Sequence, residues 1–217
     1  MHLNTLCKME LEGNKYRQIE IFRQSKYFGK ISIMSTAITL DSTLVTVLTD
    51  LVVSSNFILA LRFRNPLTLV FNAIAIRIKP ISARRNKELI LKSIREDRKL
   101  LIFGVVSNLV MAIVLAILSD DIFGSKYLNL GTDIFVGTLT AIPGGGLLIL
   151  ASILTSTGDE KFVSSASAVY SCAYLLVVGF TAYYLNVTYS LIAILAISTS
   201  YFLIFLHRFL KFFQTNT

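Results

Sequence analysis

A carboxylate inside an apolar run is the first chemically significant feature of this chain: Asp50 falls within residues 38–61, a stretch long enough to cross a bilayer as a helix. Thr39, Thr43, Thr46 and Ser54 recur with it at three- and four-residue steps, so on one helix these groups share a stripe. Such a stripe faces protein or water rather than lipid, and a carboxylate on it suits a cation path, a proton relay or an ion pair. The structural alternative is threonines bonded back to their own helix around a neutral, hydrogen-bonded Asp50. The second feature is Pro143-Gly144-Gly145-Gly146, in the middle of the apolar run 131–155. Proline removes a backbone donor and the glycines are poor helix formers, so the spacing predicts a helix interrupted at 143–146. Half-helices over 132–142 and 147–156 would then meet near the midplane. Free carbonyls before the break suit a cation, and free amides after it an anion. The alternative is a kink that lets a neighbouring helix pack close. The expected ion or solute path runs between Thr43, Thr46, Asp50 and Ser54 on one side and Pro143, Gly144, Gly145 and Gly146 on the other.

Other chemistries find little support in the residue types. The two histidines and two cysteines, Cys7 and Cys172, have no metal-ligand spacing and give no disulfide, so no metal and no cofactor is expected. Walker, dinucleotide, Gly-x-Ser-x-Gly and His-Glu-x-x-His patterns are missing. Asp50 and Asp133 can in principle pair as acidic catalysts, but no Gly-x-Gly-Asp motif accompanies them, and no enzyme is expected. The net charge of +8 would suggest nucleic acid in a soluble protein. Here the basic residues flank apolar runs, where membrane orientation accounts for them, and nucleic acid is excluded as a partner.

The elements that must position these residues follow from composition. With 54% hydrophobic and 16% charged residues and a mean hydropathy of +0.66, the chain reads as an all-α integral membrane protein. Six transmembrane helices are expected, at 38–61, 66–78, 100–118, 131–155, 162–185 and 189–206, with the fourth interrupted. Segment 66–78 is short and is open to a re-entrant reading. Lysine and arginine concentrate before the first span, between the second and third, and at the C-terminus, which under the positive-inside rule puts both termini and the loop 79–99 in the cytoplasm. The expected layout is a basic cytoplasmic tail at 1–35, one polytopic domain at 36–212 with the basic loop 79–99, and a C-terminal tail at 213–217.

Within this layout Asp41 is expected at the cytoplasmic interface, and Arg62 and Arg64 at the outer end of the first span. Asn56, Asn72 and Asn108 are expected to bond between helices, and Gly137 with Ala141 forms a small-residue pair. Ser164, Ala168 and Ser171 offer a second small-residue face, suited to packing against the interrupted helix. Thr140-Ala-Ile-Pro-Gly-Gly-Gly resembles the Thr-Ala-x-Gly-Gly-Gly patch of trimeric intracellular cation channels over seven residues. Those channels continue with Arg-Asp where this chain has Leu147-Leu148, and they repeat the patch in both halves, so neither a residue role nor a function is carried across. Two function classes remain. One is a small multi-pass transporter or channel for an ion or small solute, expected in the cell membrane. The other is a non-catalytic subunit or assembly factor of a larger membrane complex. The expected partners are the lipid bilayer and either further copies of the chain or other membrane subunits.

Overall fold

A computed structural model describes residues 26, 27, 29–33, 39–124, 127 and 129–214, among which all regular structure is helical. From Asp41 onward eight helices follow in order: α1 (Asp41–Leu48), α2 (Leu51–Phe63), α3 (Asn65–Ala83), α4 (Lys87–Ile117), α5 (Ser119–Phe123), α6 (Leu130–Ser156), α7 (Glu160–Tyr184) and α8 (Val187–Gln214). Four of them, α4, α6, α7 and α8, are long and apolar enough to cross a membrane. A fifth pass arises if α2 and α3, bent by 43° at Arg64, count as one broken span. Most of the expected tail 1–35, and Cys7 with it, lies outside the described residues.

The bundle is arranged around α6. Half of the most apolar stretch of α6 is buried inside the molecule, against 11% for α4, so α6 is the axis and α4 an outer wall. Helices α2, α3, α4 and α8 all pack on α6, while α7 packs mainly on α8 and α1. The expectation of an interrupted fourth span is therefore corrected: α6 runs unbroken through Pro143 and all three glycines. Neighbouring helices supply the physical reason. A Cβ on Gly145 would stand 2.1 Å from the Phe71 ring of α3, one on Gly146 2.6 Å from the Phe202 ring of α8, and one on Gly137 2.8 Å from the Ala60 carbonyl oxygen of α2. These glycines are contact points where other helices press against the axis, and that packing offsets their low helix propensity. No half-helix ends meet at the midplane.

The first expected span is corrected in the opposite sense. It is not one helix over 38–61, because the chain breaks at Thr49 and Asp50 between α1 and α2. Asp50 is the N-cap of α2, its Oδ1 accepting from the Val53 amide at 2.8 Å, as a short acidic side chain before a helix start commonly does. The segment 66–78 is the N-terminal two-thirds of a longer helix, α3, with Pro66 in its first turn, where the missing N–H costs nothing. The bend before Pro66 frees backbone acceptors, and Asn108 of α4 donates to one of them, the Phe63 carbonyl, at 3.4 Å. Asn108 thus makes the helix-to-helix bond expected of it.

The described passes have two ends of different character. At one end the turn at 84–86, with Arg85 at φ 53°, meets the turn at 157–159, with Gly158 at φ 100°. They touch closely enough that a Cβ on Gly158 would lie 2.6 Å from the Arg85 guanidinium. Arg208 grips Asp159 through two bonds, Nε to Oδ2 at 2.6 Å and Nη2 to Oδ1 at 3.1 Å, and the Lys87 ammonium donates to the Phe213 carbonyl at 2.6 Å. This is the basic end, and α4 rises from it as one helix of 31 residues capped by Asn86. Arg77 of α3 pairs with both Glu96 and Asp97 of α4 here. At the other end Asp50, Asn129, Asp133, Asn186 and Thr188 surround a pocket of about 300 Å³.

Candidate functional site

Rise per residue places the layers along the bundle. Gly144 lies about 20 Å from either end of α6, and Arg64, which follows the 13 residues of α2, lies about 20 Å below Asp50. The two are level, and both line a cavity of about 330 Å³ at the middle of the bundle. Its walls come from the start of α3 (Asn65, Thr68), the axis (Thr140, Gly144, Gly145), α7 (Ser167, Tyr170, Ser171, Tyr174) and α8 (Ser198). Towards the basic end it continues past Leu147, Leu148, Ala151 and Phe205, and Ile31 closes part of that side.

Arg64 was expected at the outer end of the first span, so its place halfway along the bundle is a correction. It sits at the bend between α2 and α3, half-exposed, with no carboxylate within ion-pair distance among the described residues. A nearby acid among the described residues, Asp41, is 4% exposed rather than interfacial. Its Oδ2 accepts from the Tyr174 hydroxyl at 2.7 Å and its Oδ1 from the Ser42 amide at 2.6 Å. Tyr170 shares a hydrogen bond with Ser198 at 3.0 Å. Several hydroxyls spend their proton on their own helix: Thr68 on the Arg64 carbonyl, Thr140 on Gly137 and Ser171 on Ser167. They present oxygen lone pairs to the cavity, while the guanidinium of Arg64 presents five N–H donors.

An apolar layer separates this cavity from the acidic pocket at the other end. Val45, Phe57, Leu61, Val178, Leu191 and Ile194 belong to one buried cluster. Along α2, α6 and α8 alike, the residues of the acidic pocket come before those of the cavity, and the cluster residues of α2 and α8 fall between. The acidic pocket brings Asp50 and Asp133 together, as the sequence allowed, but Asp133 is 1% exposed and its Oδ1 already accepts from Thr188 Oγ1 at 2.5 Å. Among the described residues no group of three or more His, Cys, Asp or Glu side chains is placed to hold a metal ion.

The expected site residues divide between these places. Gly144 and Gly145 line the central cavity, and a Cβ on Gly144 would meet nothing within 4 Å. Pro143 is buried in α6, and Gly146 backs onto Phe202. Asp50 belongs to the acidic pocket. Thr43 and Thr46 are exposed on α1, Thr46 bonded back to the Ser42 carbonyl, whereas Ser54 is buried on α2. The stripe is therefore split between two helices and does not converge on the glycines. Ser164 and Ser171 are buried and Ala168 half-buried, with Ser171 in the cavity wall. Sequence reasoning missed Arg64, Asp41, Tyr170 and Tyr174. Pro66 was the available signal: reading 51–83 as one pass bent before a proline puts Arg64 at mid-depth. No family model matches the chain, and no curated protein or solved structure matches it either.

Proposed function

We propose that this chain is a small multi-pass membrane transport protein that binds an ion or small solute in the mid-depth cavity. The observation carrying this reading is Arg64, a cation halfway along the bundle that faces a hydroxyl-rich space instead of a carboxylate. Ionisable groups at that depth are costly, and where they face a cavity they commonly mark a solute path. A solute path also suits the cavity's position beside the central helix and its extension towards one end, with an apolar layer closing the other.

We read the layout as six crossings with cytoplasmic termini, though not the six first expected: the first would end at Asp50, and the second would run through α2 and α3. Ile31 packs with Ile78, Ile90, Phe205 and Phe209 near the basic end, and α1 then leads to Asp50 at the opposite end, in keeping with a broken first pass before α2. The basic end, with Arg85, Lys87 and Arg208, would be cytoplasmic by the positive-inside rule, and the cavity would open inward.

The test is ion and small-solute flux into liposomes carrying the purified protein, with Gly144→Leu reconstituted alongside. A leucine at this position has room for its Cβ but projects into the cavity, so the variant is expected to insert normally and lose flux. Absence of flux in correctly inserted wild type would overturn the transport reading in favour of a subunit of a larger complex.

A further inference from the structure

We propose that the cavity selects an organic anion, a carboxylate or phosphate group carried on a small apolar body, with Arg64 as its counter-ion. This rests on the transport reading and names the class of its solute. The guanidinium has no carboxylate partner among the described residues, and the buried acid Asp41 is held by the Tyr174 hydroxyl and the Ser42 amide. The N–H donors of Arg64 are thus left without a carboxylate among the described residues, and a planar fork of N–H donors matches a carboxylate or phosphate in two-point contact. Hydrogen-bond accounting limits where an anion can be held, because hydroxyls that have spent their protons offer it only lone pairs. Thr68, Thr140 and Ser171 have already spent their protons on backbone carbonyls. Asn65 stands beside Arg64 with a side-chain amide, and of the two hydroxyl protons in the Tyr170 and Ser198 pair only one is needed for their mutual bond. Donors to an anion therefore cluster at the Arg64 end of the cavity. The opposite stretch, past Leu147, Leu148, Ala151 and Phe205, is apolar and suits a hydrocarbon body.

A free organic anion and the head of an anionic lipid share this chemistry, so the experiment has an arm for each. Protein in non-ionic detergent is titrated calorimetrically with sodium hexanoate and hexyl phosphate, and with 1-hexanol and hexylammonium as neutral and cationic counterparts. The expected result is binding of the two anions only, weakened about tenfold or more in Arg64→Gln, weakened less in Arg64→Lys, which keeps the charge but loses the two-point fork, and lost in Gly144→Leu. Circular dichroism and gel filtration establish that each variant is folded. Should Arg64→Gln fail to fold, Arg64→Lys and Gly144→Leu carry the comparison. In nanodiscs of neutral phosphatidylcholine, doping with phosphatidic acid that displaces hexanoate in an Arg64-dependent way identifies the lipid head as the source. Absence of displacement identifies a free solute. Equal binding of hexanol or hexylammonium, anion binding that ignores Arg64, or no binding of either anion would each overturn the proposal. Hexanoate flux into liposomes is read separately. Anion binding without flux leaves the anion site standing and removes transport, whereas flux of cations without anion binding does the reverse.

Discussion

At the scale of single residues, adjacent glycines have different jobs. Gly145 lies under the Phe71 ring, where a Cβ would stand 2.1 Å from ring carbons, while Gly144 faces open space. Gly145→Ala should therefore cost about 1–3 kcal/mol through overpacking. Gly144→Ala should be neutral, or stabilising by up to about 1 kcal/mol through better helix propensity. Thermal unfolding in detergent, followed by circular dichroism, separates the two, and equal effects would mean that Phe71 does not press on the axis. None of this was legible in Pro143-Gly-Gly-Gly as a string, because composition cannot distinguish a glycine that breaks a helix from one that admits a neighbour. Asp41 and Tyr174, 133 positions apart, were equally unreadable as a pair. The expectation that Asp41 is interfacial assumed one helix over 38–61, and the break at Thr49 and Asp50 removes that premise.

At the scale of elements, the caps and bends carry the information. Asp50 ends one helix direction and begins the next, and its cap bond to the Val53 amide makes a specific claim. Asparagine caps about as well as aspartate, so Asp50→Asn should leave stability within about 0.5 kcal/mol of wild type, while Asp50→Ala should lose about 1 kcal/mol. A mid-membrane carboxylate would behave otherwise, since neutralising it would relieve burial and raise stability; an Asn variant markedly more stable than wild type would sink the cap reading. The bend between α2 and α3 has the larger consequence. Its 43° angle joins two helices, neither of which qualifies alone as a long apolar span, into one candidate pass and brings Arg64 inside the bundle. Pro66 announces a helix start, but only the packing of α3 on α6 fixes the direction in which the second half proceeds.

At the scale of the whole molecule, the described passes alternate in direction, which a labelling experiment can read. With Cys7 and Cys172 replaced by serine, single cysteines at positions 124 and 186 should react with a membrane-impermeant maleimide from one side of a sealed vesicle. Cysteines at 85 and 158 should react from the other side only. Reaction of 85 and 186 from the same side would refute this arrangement of α3, α4, α6, α7 and α8. The alternation also explains why one cavity collects residues from as far apart as 64 and 205: antiparallel passes bring the midpoints of α6, α7 and α8 level with the bend that begins α3.

Some of this the chain determined unaided. Long apolar runs with charge confined to their flanks can be satisfied in a bilayer only by helices, so the helical class and the passes α4, α6, α7 and α8 follow from composition and length. The small pair Gly137 and Ala141 and the bond made by Asn108 were legible for the same reason, because close approach and buried amides are local demands. Tertiary structure alone decided that α6 stays whole, that Asp50 caps a helix at one end, and that Arg64 and Tyr174 share a cavity at mid-depth. Each of these depends on which neighbour fills the space beside a residue, and that is settled by packing between passes distant in sequence.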